Sequence, residues 1–384
     1  MSEIIRQLEP AQHDELLRFL ERAFGHDRGF FEKEMPQWYG DPVACCEGSN
    51  VILAKDQIAS HVGLYPIEVS AAGVSLTVGG IGAVATAPEE RGKGHMSRLL
   101  QHVIEVMRER GYPLSWLGGD RQRYGTYGWE TAGLTYCLTF SKRSLDWTAV
   151  RPLAAQPVEP DEAVPVVEAL QRHAICWTQR PRLAQQLRKQ NTRIWTCEDG
   201  YAIVRPTNHG RSEERLQILE MVSTSHREPR LIRTILEASE ATEAEWYLAA
   251  CDRDRLARLM PYASYWRSGP NGMARIVDLT RLLEAARPYL RHWAEAVAGL
   301  ADEGCSVCLA IQEHDRTTAA TLTFAAGDVQ VLPGCHADQR VDLDIVEATR
   351  LLLGGPPTSH ESELPLCLGA ALPLPMHVLS MDYV

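Results

Sequence analysis

Residues 81–96 read IGAVATAPEERGKGHM, and this stretch decides the fold. Val84, Ala85 and Thr86 suit a strand, and Pro88 ends it because proline has no N–H to give to a ladder. Arg91, Gly92, Lys93 and Gly94 then form a turn, and a helix starts at His95 or Met96. Met96, Leu99, Leu100, Val103, Ile104 and Met107 recur at helical spacing, and Gly111 stops them. Glycines at the mouth of a helix let backbone N–H groups turn outward. Those groups, with the positive end of the helix dipole, hold phosphate. Arg91 and Lys93 add positive charge. The same residues would also serve as a plain solvated turn. The pattern is no P-loop, since Ala87 stands where the first glycine belongs and Gly94 where Ser or Thr belongs; nor is it G-x-G-x-x-G.

Outward from this stretch, an amphipathic helix carries Leu16, Leu17, Leu20, Ala23 and Phe24. Strands are expected at 51–55, 58–69 and 74–86, with turns at Asp56-Gln57 and Gly73. Two more follow at 113–117 and 134–140. Residues 1–148 are thus expected to form one α/β domain. A proline-rich stretch, 151–165, reads as a linker. Beyond it the order recurs: strands at 193–197, 201–205 and 216–222, a helix at 230–239, a strand at 246–251. This reads as a degenerate duplication over 149–274, or as a coincidence between two α/β segments. The segment matching VATAPEERGKGHMSRLL is EMVSTSHREPRLIRTIL, with no glycine between Ser223 and Ser239. It is a poor phosphate cradle, so one site per chain is expected. From 275 to 384 the pattern is a helix at 279–300, strands at 306–311, 317–324 and 328–332, and a helix at 343–353. The tail, 365–384, is rich in Leu and Pro and nearly uncharged, so it is expected to pack against the body.

At 384 residues the chain is too long for one ordinary domain and suits two or three. No run approaches the roughly 20 apolar residues that span a bilayer, and the first ten residues have no signal-peptide pattern. A soluble cytoplasmic protein is expected, without membrane partners. The ten cysteines lack framework spacing and are expected as free thiols in a reducing compartment, with Cys305 and Cys308 as core. The formal net charge of -11 disfavours nucleic acid and suits a cationic amine. No metal-ligand spacing is present, so no metal is expected. His173, His209 and His226 are read as surface or helix-face residues.

The strand ending V-x-x-x-P, the R-G-K-G turn and the amphipathic helix resemble the coenzyme-binding motif of the GNAT acetyltransferases. The resemblance implies acetyl-CoA as co-substrate. Val84 and Thr86 would offer backbone groups to the pantetheine arm; Arg91, Gly92, Lys93, Gly94, His95 and Met96 would cradle the pyrophosphate. Residues 120–128, DRQRYGTYG, are similar to an element of the Eis-like (enhanced intracellular survival) branch. That branch implies an α/β (α+β) architecture over the whole chain. It would hold an acetyl-CoA-binding GNAT domain at 1–148, a degenerate GNAT-like domain at 149–274 and a sterol-carrier-protein-like domain at 275–384. It also implies a homo-oligomer, the hexamer being the family's form.

Acetyl transfer needs a neutral amine, a stabilised oxyanion and a proton for the leaving thiolate. A phenol near pKa 10 can protonate a thiolate, and the resemblance gives Tyr124 that role. It gives the base role to the chain's own C-terminal carboxylate, here on Val384. Asp382 would add negative charge nearby, and Asp27, Trp38 and Tyr39 would line the amine site. The expected function is N-acetylation of a primary amine, on a small molecule such as an aminoglycoside or polyamine, or on a protein lysine. The alternative is a coenzyme- or lipid-binding sensor that performs no chemistry.

Overall fold

The computed structural model describes residues 4–207, 215–297, 305–313, 316–325 and 328–384. His209 and the expected helix end at 298–300 lie outside them. Chain order first gives β1 (Ile5–Gln7), helix α1 (His13–Phe24), β2 (Ser49–Ala54), β3 (Gln57–Ala71), β4 (Val74–Thr86), helix α2 (His95–Glu109), β5 (Leu114–Leu117) and β6 (Glu130–Thr131). There follow β7 (Leu134–Ser141), β8 (Ala155–Val158), β9 (Cys176–Gln179), β10 (Arg193–Cys197), β11 (Gly200–Thr207), β12 (Arg215–Ser223), helix α3 (Glu228–Glu237), β13 (Glu243–Ala249), β14 (Tyr265–Pro270) and β15 (Met273–Ile276). The last part holds helix α4 (Leu279–Ala296), β16 (Cys305–Glu313), β17 (Arg316–Ala325), β18 (Asp328–Pro333), β19 (Arg340–Asp344) and helix α5 (Ile345–Leu353).

Three sheets result. The first runs β1-β2-β3-β4-β5-β15-β6, with β9 added beside β3. The second runs β14-β7-β13-β12-β11-β10-β8, and the third β18-β17-β16-β19. The first two share a plan: an antiparallel hairpin, a third antiparallel strand, a helix, then a parallel strand. In the first sheet α2 buries Leu99, Leu100, Val103, Ile104 and Met107 against Leu64, Ile81 and Leu117. Each such side chain contributes roughly 1.5–3 kcal/mol when fully buried. In the second, α3 buries Leu231, Ile232, Ile235 and Leu236 in the same way.

The sheets do not follow the expected boundaries at 148 and 274. Leu134–Ser141, read as the last strand of the first domain, sits between β13 and β14 in the second sheet. Met273–Ile276 returns to the first sheet between β5 and β6. Strand periodicity specifies which face is buried but carries no information about which neighbour pairs. The proline-rich stretch is not a linker either. It holds β8 and a helix, Pro160–Leu170, that starts on Pro160, where a missing N–H costs nothing.

The third sheet packs Val307, Leu309, Ile311 and Leu322 against Leu282, Leu283, Ala286 and Leu290 of α4, and this core continues into Val78 and Trp116 of the first sheet. Cys308 and Cys335 form a disulfide, which corrects the free-thiol expectation. Cys335 lies beyond two further strands, so no spacing in the sequence announces the pair. Cys305 and Cys367 bring their sulfurs to 2.8 Å, and Cys176 and Cys251 theirs to 3.7 Å. Among the described residues no helix is long and apolar enough to cross a membrane.

Candidate active site

The strand–turn–helix at 81–96 opens on a cavity of about 550 Å3. Gly92 and Gly94 both have left-handed backbones, at φ +79° and +78°. A Cβ built on either would meet nothing within 4 Å, so the turn borders open space. Gly94 is the residue before α2, and no side chain caps the helix there. The first turn of α2 holds no acidic residue. A helix mouth of this kind, between glycines and with no acidic side chain, suits an anion.

Val84, Thr86, Arg91, Gly92, Gly94, His95 and Met96 all line this cavity. Lys93 does not. Its Nζ lies 2.7 Å from Glu90 Oε2, on a half-exposed side chain. The His95 ring is buried and turned to the same carboxylate, with Nε2 at 3.1 Å, so this residue offers the cavity its backbone rather than its imidazole. Those two contacts, Lys93 first, hold the Glu90 carboxyl below its usual range. Arg123, which the sequence reading passed over, adds a second guanidinium to the lining.

β4 and β5 pair in parallel only from Val78↔Leu114 to Gly80↔Trp116. Beyond Gly80, β4 runs on to Thr86 without a strand partner on that side among the described residues, and the two strands part. An extended ligand arm entering there would lie along the β4 edge. β4 also carries a bulge opposite Val62, with Ala83 at positive φ. His61 fixes it. Its Nδ1 donates to the Ala83 carbonyl at 2.7 Å, and Nε2 meets Ser49 Oγ at 3.0 Å. Burial pushes the His61 imidazole down to about 4, against the pull of that carbonyl, so it works as a neutral ring.

The chain terminus reaches the same place. A Cβ on Gly82 would lie 2.7 Å from the carboxyl carbon of Val384, and one on Gly80 would lie 2.8 Å from its side chain. The terminus can lie on β4 only because these two residues are glycines. The signal was legible, since glycines inside a strand mark a close approach, and G-G-I-G at 79–82 has three. Upstream, the Asn271 side chain brackets Val378, donating to its carbonyl at 3.0 Å and accepting from its N–H at 2.7 Å. Gln186 Nε2 donates to the Met381 carbonyl at 3.0 Å. The Tyr383 ring packs on Trp116 with centroids 4.8 Å apart. The tail thus touches all three sheets on its way to the site.

Tyr124 lies on the opposite side of the first sheet. It ends a short helix, Arg121–Tyr124, just after β5, and packs with Ile81, Leu117 and Trp129 on the face that carries α2. Gly119 accommodates its ring, which a Cβ there would meet at 2.5 Å. Burial raises the Tyr124 phenol, partly offset by Arg123, so it stays protonated at neutral pH.

Three expected substrate residues fare differently. Trp38 is half-buried, stacks on Tyr65 at 4.9 Å and shares an apolar cluster with Val384. Asp27 is exposed and lines no described cavity, because its loop after α1 turns to solvent. Asp382 supplies no free charge. Arg180 Nε and Nη2 each donate to it at 2.7 Å, and Gln186 Nε2 donates at 2.6 Å. It anchors the tail instead.

The second sheet's corresponding turn shows a different solution. Between β12 and α3 the anion position is filled from within by Asp199. That carboxylate accepts from Ser223 Oγ at 2.9 Å, Ser225 N–H at 3.1 Å and Arg227 Nε at 3.3 Å. Burial alone would raise its pKa, but these donors outweigh that and hold it below the usual range.

Comparison with known proteins bears on the first unit. A family model described as an acetyltransferase (GNAT) domain matches residues 4–132. No curated protein sequence matches the chain. Among solved structures, a GCN5-related N-acetyltransferase from Kribbella flavida is similar at TM-score 0.71 and 19% identity, over 100% of both chains. One from Anabaena variabilis is similar at TM-score 0.67 and 20% identity, covering 89% of this chain and 88% of its own. Eis1 from Mycobacterium abscessus is similar at TM-score 0.66 and 15% identity, covering 98% of this chain and 99% of its own. At these identities the likeness is one of fold. Residues 4–132 match the GNAT acetyltransferase domain model, inside a chain whose fold is similar to those proteins over 89–100% of its length.

Proposed function

We propose that the protein is an acetyl-CoA-dependent N-acetyltransferase of the Eis-like kind, with one active site per chain and a primary amine as acceptor. The observation that carries this reading is the carboxyl terminus resting on Gly82, beyond the last β4–β5 pair and two residues before Val84 of the cavity lining. The coenzyme supplies the activated acetyl group when bound. The turn N–H groups of α2, with Arg91 and Arg123, hold its phosphates, and the free edge of β4 orients its arm. The Val384 carboxylate orients the acceptor ammonium and takes its proton, directly or through water. A free α-carboxylate is a weak base at pKa about 3.5, so orientation is the larger part of its task. The Tyr124 hydroxyl gives a proton to the departing sulfur. In sum, amine and thioester become amide and thiol.

Release of free thiol from acetyl-CoA with a panel of amines tests this reading. Coenzyme binding without release for any amine would sink it. The sensor reading rests on another observation: a largely apolar cleft of about 1180 Å3 bounded by the first two sheets, α4 and the tail, and lined by Trp177, Trp266, Tyr289, Trp293 and Met376.

Two substitutions separate the roles. Tyr124→Phe is expected to lower kcat about 10²-fold or more with acetyl-CoA affinity unchanged; wild-type kcat would take the acid role from Tyr124. Gly94→Val is expected to weaken acetyl-CoA binding at least about tenfold, measured by calorimetry. A β-branched residue resists positive φ and fills the open side of the cradle.

A further inference from the structure

Beside the terminus lies a second, small cavity, bounded by Trp38, Arg182, Asp382 and Ile67. It adjoins Val384, since Ile67 and Val384 both crowd the same face of Gly80 at 2.8 Å. Its walls hold polar atoms that have no partner. Gln37 Oε1, Thr178 Oγ1 and Arg180 Nη1 are each buried without a hydrogen bond among the described residues, on residues only 4%, 3% and 8% exposed. All three residues line the cavity. Buried polar groups are nearly always satisfied, so three orphans around one space imply an occupant that supplies their partners.

The chemistry of that occupant follows from what is already paired. Asp382 and Glu220 give their oxygens to Arg180, Gln186 and Tyr201, so the network presents no unpaired carboxylate here. What it leaves over is a donor, Arg180 Nη1, while Gln37 Oε1 is an acceptor and calls for a donor on the occupant, such as its ammonium. Thr178 adds a hydroxyl. Arg182 adds a second guanidinium, 5.7 Å over the Trp38 ring, with no ion pair among the described residues. It acts on Asp41 only through space, and Asp41 is engaged by the N–H groups of Val43 and Ala44. The Arg182 guanidinium, the spare Arg180 N–H and a hydroxyl match a carboxylate. Size agrees. The cavity offers about 40 Å3, where one water needs at least about 10–15 Å3, so it holds a group of two or three heavy atoms and not a sugar ring.

We infer that this is a subsite for a carboxylate on the acceptor, so the preferred substrates are amino acids or similar zwitterionic amines, not polyamines or amino sugars. The inference rests on the acetyltransferase reading. The acceptor would place its amine toward the Val384 carboxylate and its own carboxylate on Arg180, Thr178 and Arg182.

The test compares matched acceptors with and without the carboxylate: glycine against methylamine, phenylalanine against phenethylamine, 4-aminobutyrate against propylamine. At least one pair is expected to favour the carboxylated member tenfold or more in kcat/KM. Arg182→Gln and Thr178→Val are expected to shrink that preference below about threefold, by raising KM for the carboxylated acceptor alone. Equal or reversed preference in every pair would overturn the subsite and leave the cavity to water. Binding gives a readout that does not depend on turnover. With CoA present, N-acetylglycine should bind at least tenfold more tightly than N-methylacetamide by calorimetry. That result would support the subsite even if no thiol were released, whereas equal binding would overturn it even if amines were acetylated.

Discussion

Removing Val384, or extending the chain past it, is expected to lower turnover roughly 10²–10⁴-fold while leaving acetyl-CoA affinity unchanged. The coenzyme's phosphates are assigned to the turn at Arg91–Gly94, which the tail does not touch, so binding is spared. The carboxylate is what moves. Deletion puts the terminus on Tyr383, one residue short by about 3.3–3.6 Å, and Tyr383 is held by its packing on Trp116. Extension by a single glycine replaces the carboxylate with a neutral amide against Gly82, where there is no room to step aside. Single-turnover kinetics with calorimetry on the same preparations checks both halves. Full activity in either variant would remove the terminus from the mechanism.

Arg180→Leu is expected to destabilise the protein by about 3–5 kcal/mol, and to lower kcat by releasing the tail. The arginine is the counter-ion of two carboxylates from distant parts of the chain. It meets Asp382 at 2.7 Å and Glu220 at 2.5 Å, with all three side chains at most 6% exposed. Removing it leaves two buried negative charges facing each other, the case in which breaking an ion pair costs most. Burial disfavours the charged guanidinium, but the two carboxylates outweigh that and raise its pKa further above its ordinary value, so no accessible pH titrates it. Urea unfolding reads the stability, and limited proteolysis of the tail reads the release. A loss under about 1 kcal/mol with the tail still protected would show that Asn271, Gln186 and Trp116 hold the terminus without it.

Much of the first unit was legible from local rules. Val74–Thr86 and the helix from His95 carry their own periodicity, and Gly92 and Gly94 mark positions that need positive φ. The proposed coenzyme cradle is local in sequence, so a short window contains nearly all of it. Lys93 misled because an adjacent carboxylate, Glu90, competes for it, and spacing does not show which partner wins. Asp382 misled for the same reason at longer range. Its charge near the site was foreseen, but its guanidinium partner lies 202 residues away.

The amino-acid sequence by itself determined the longer strands and helices, the glycine turn before α2 and the apolar character of the tail, because each follows from propensity and spacing within a few turns of chain. Only the tertiary structure decided which strands share a sheet. It also decided that Asp199 fills the second turn from inside, and that Val384 meets Gly82 across roughly 300 residues. Those outcomes depend on which surfaces exclude water together and which buried charges find a partner. Such contacts form between segments with no local signal for each other, and their energies exist only once the core has closed around them.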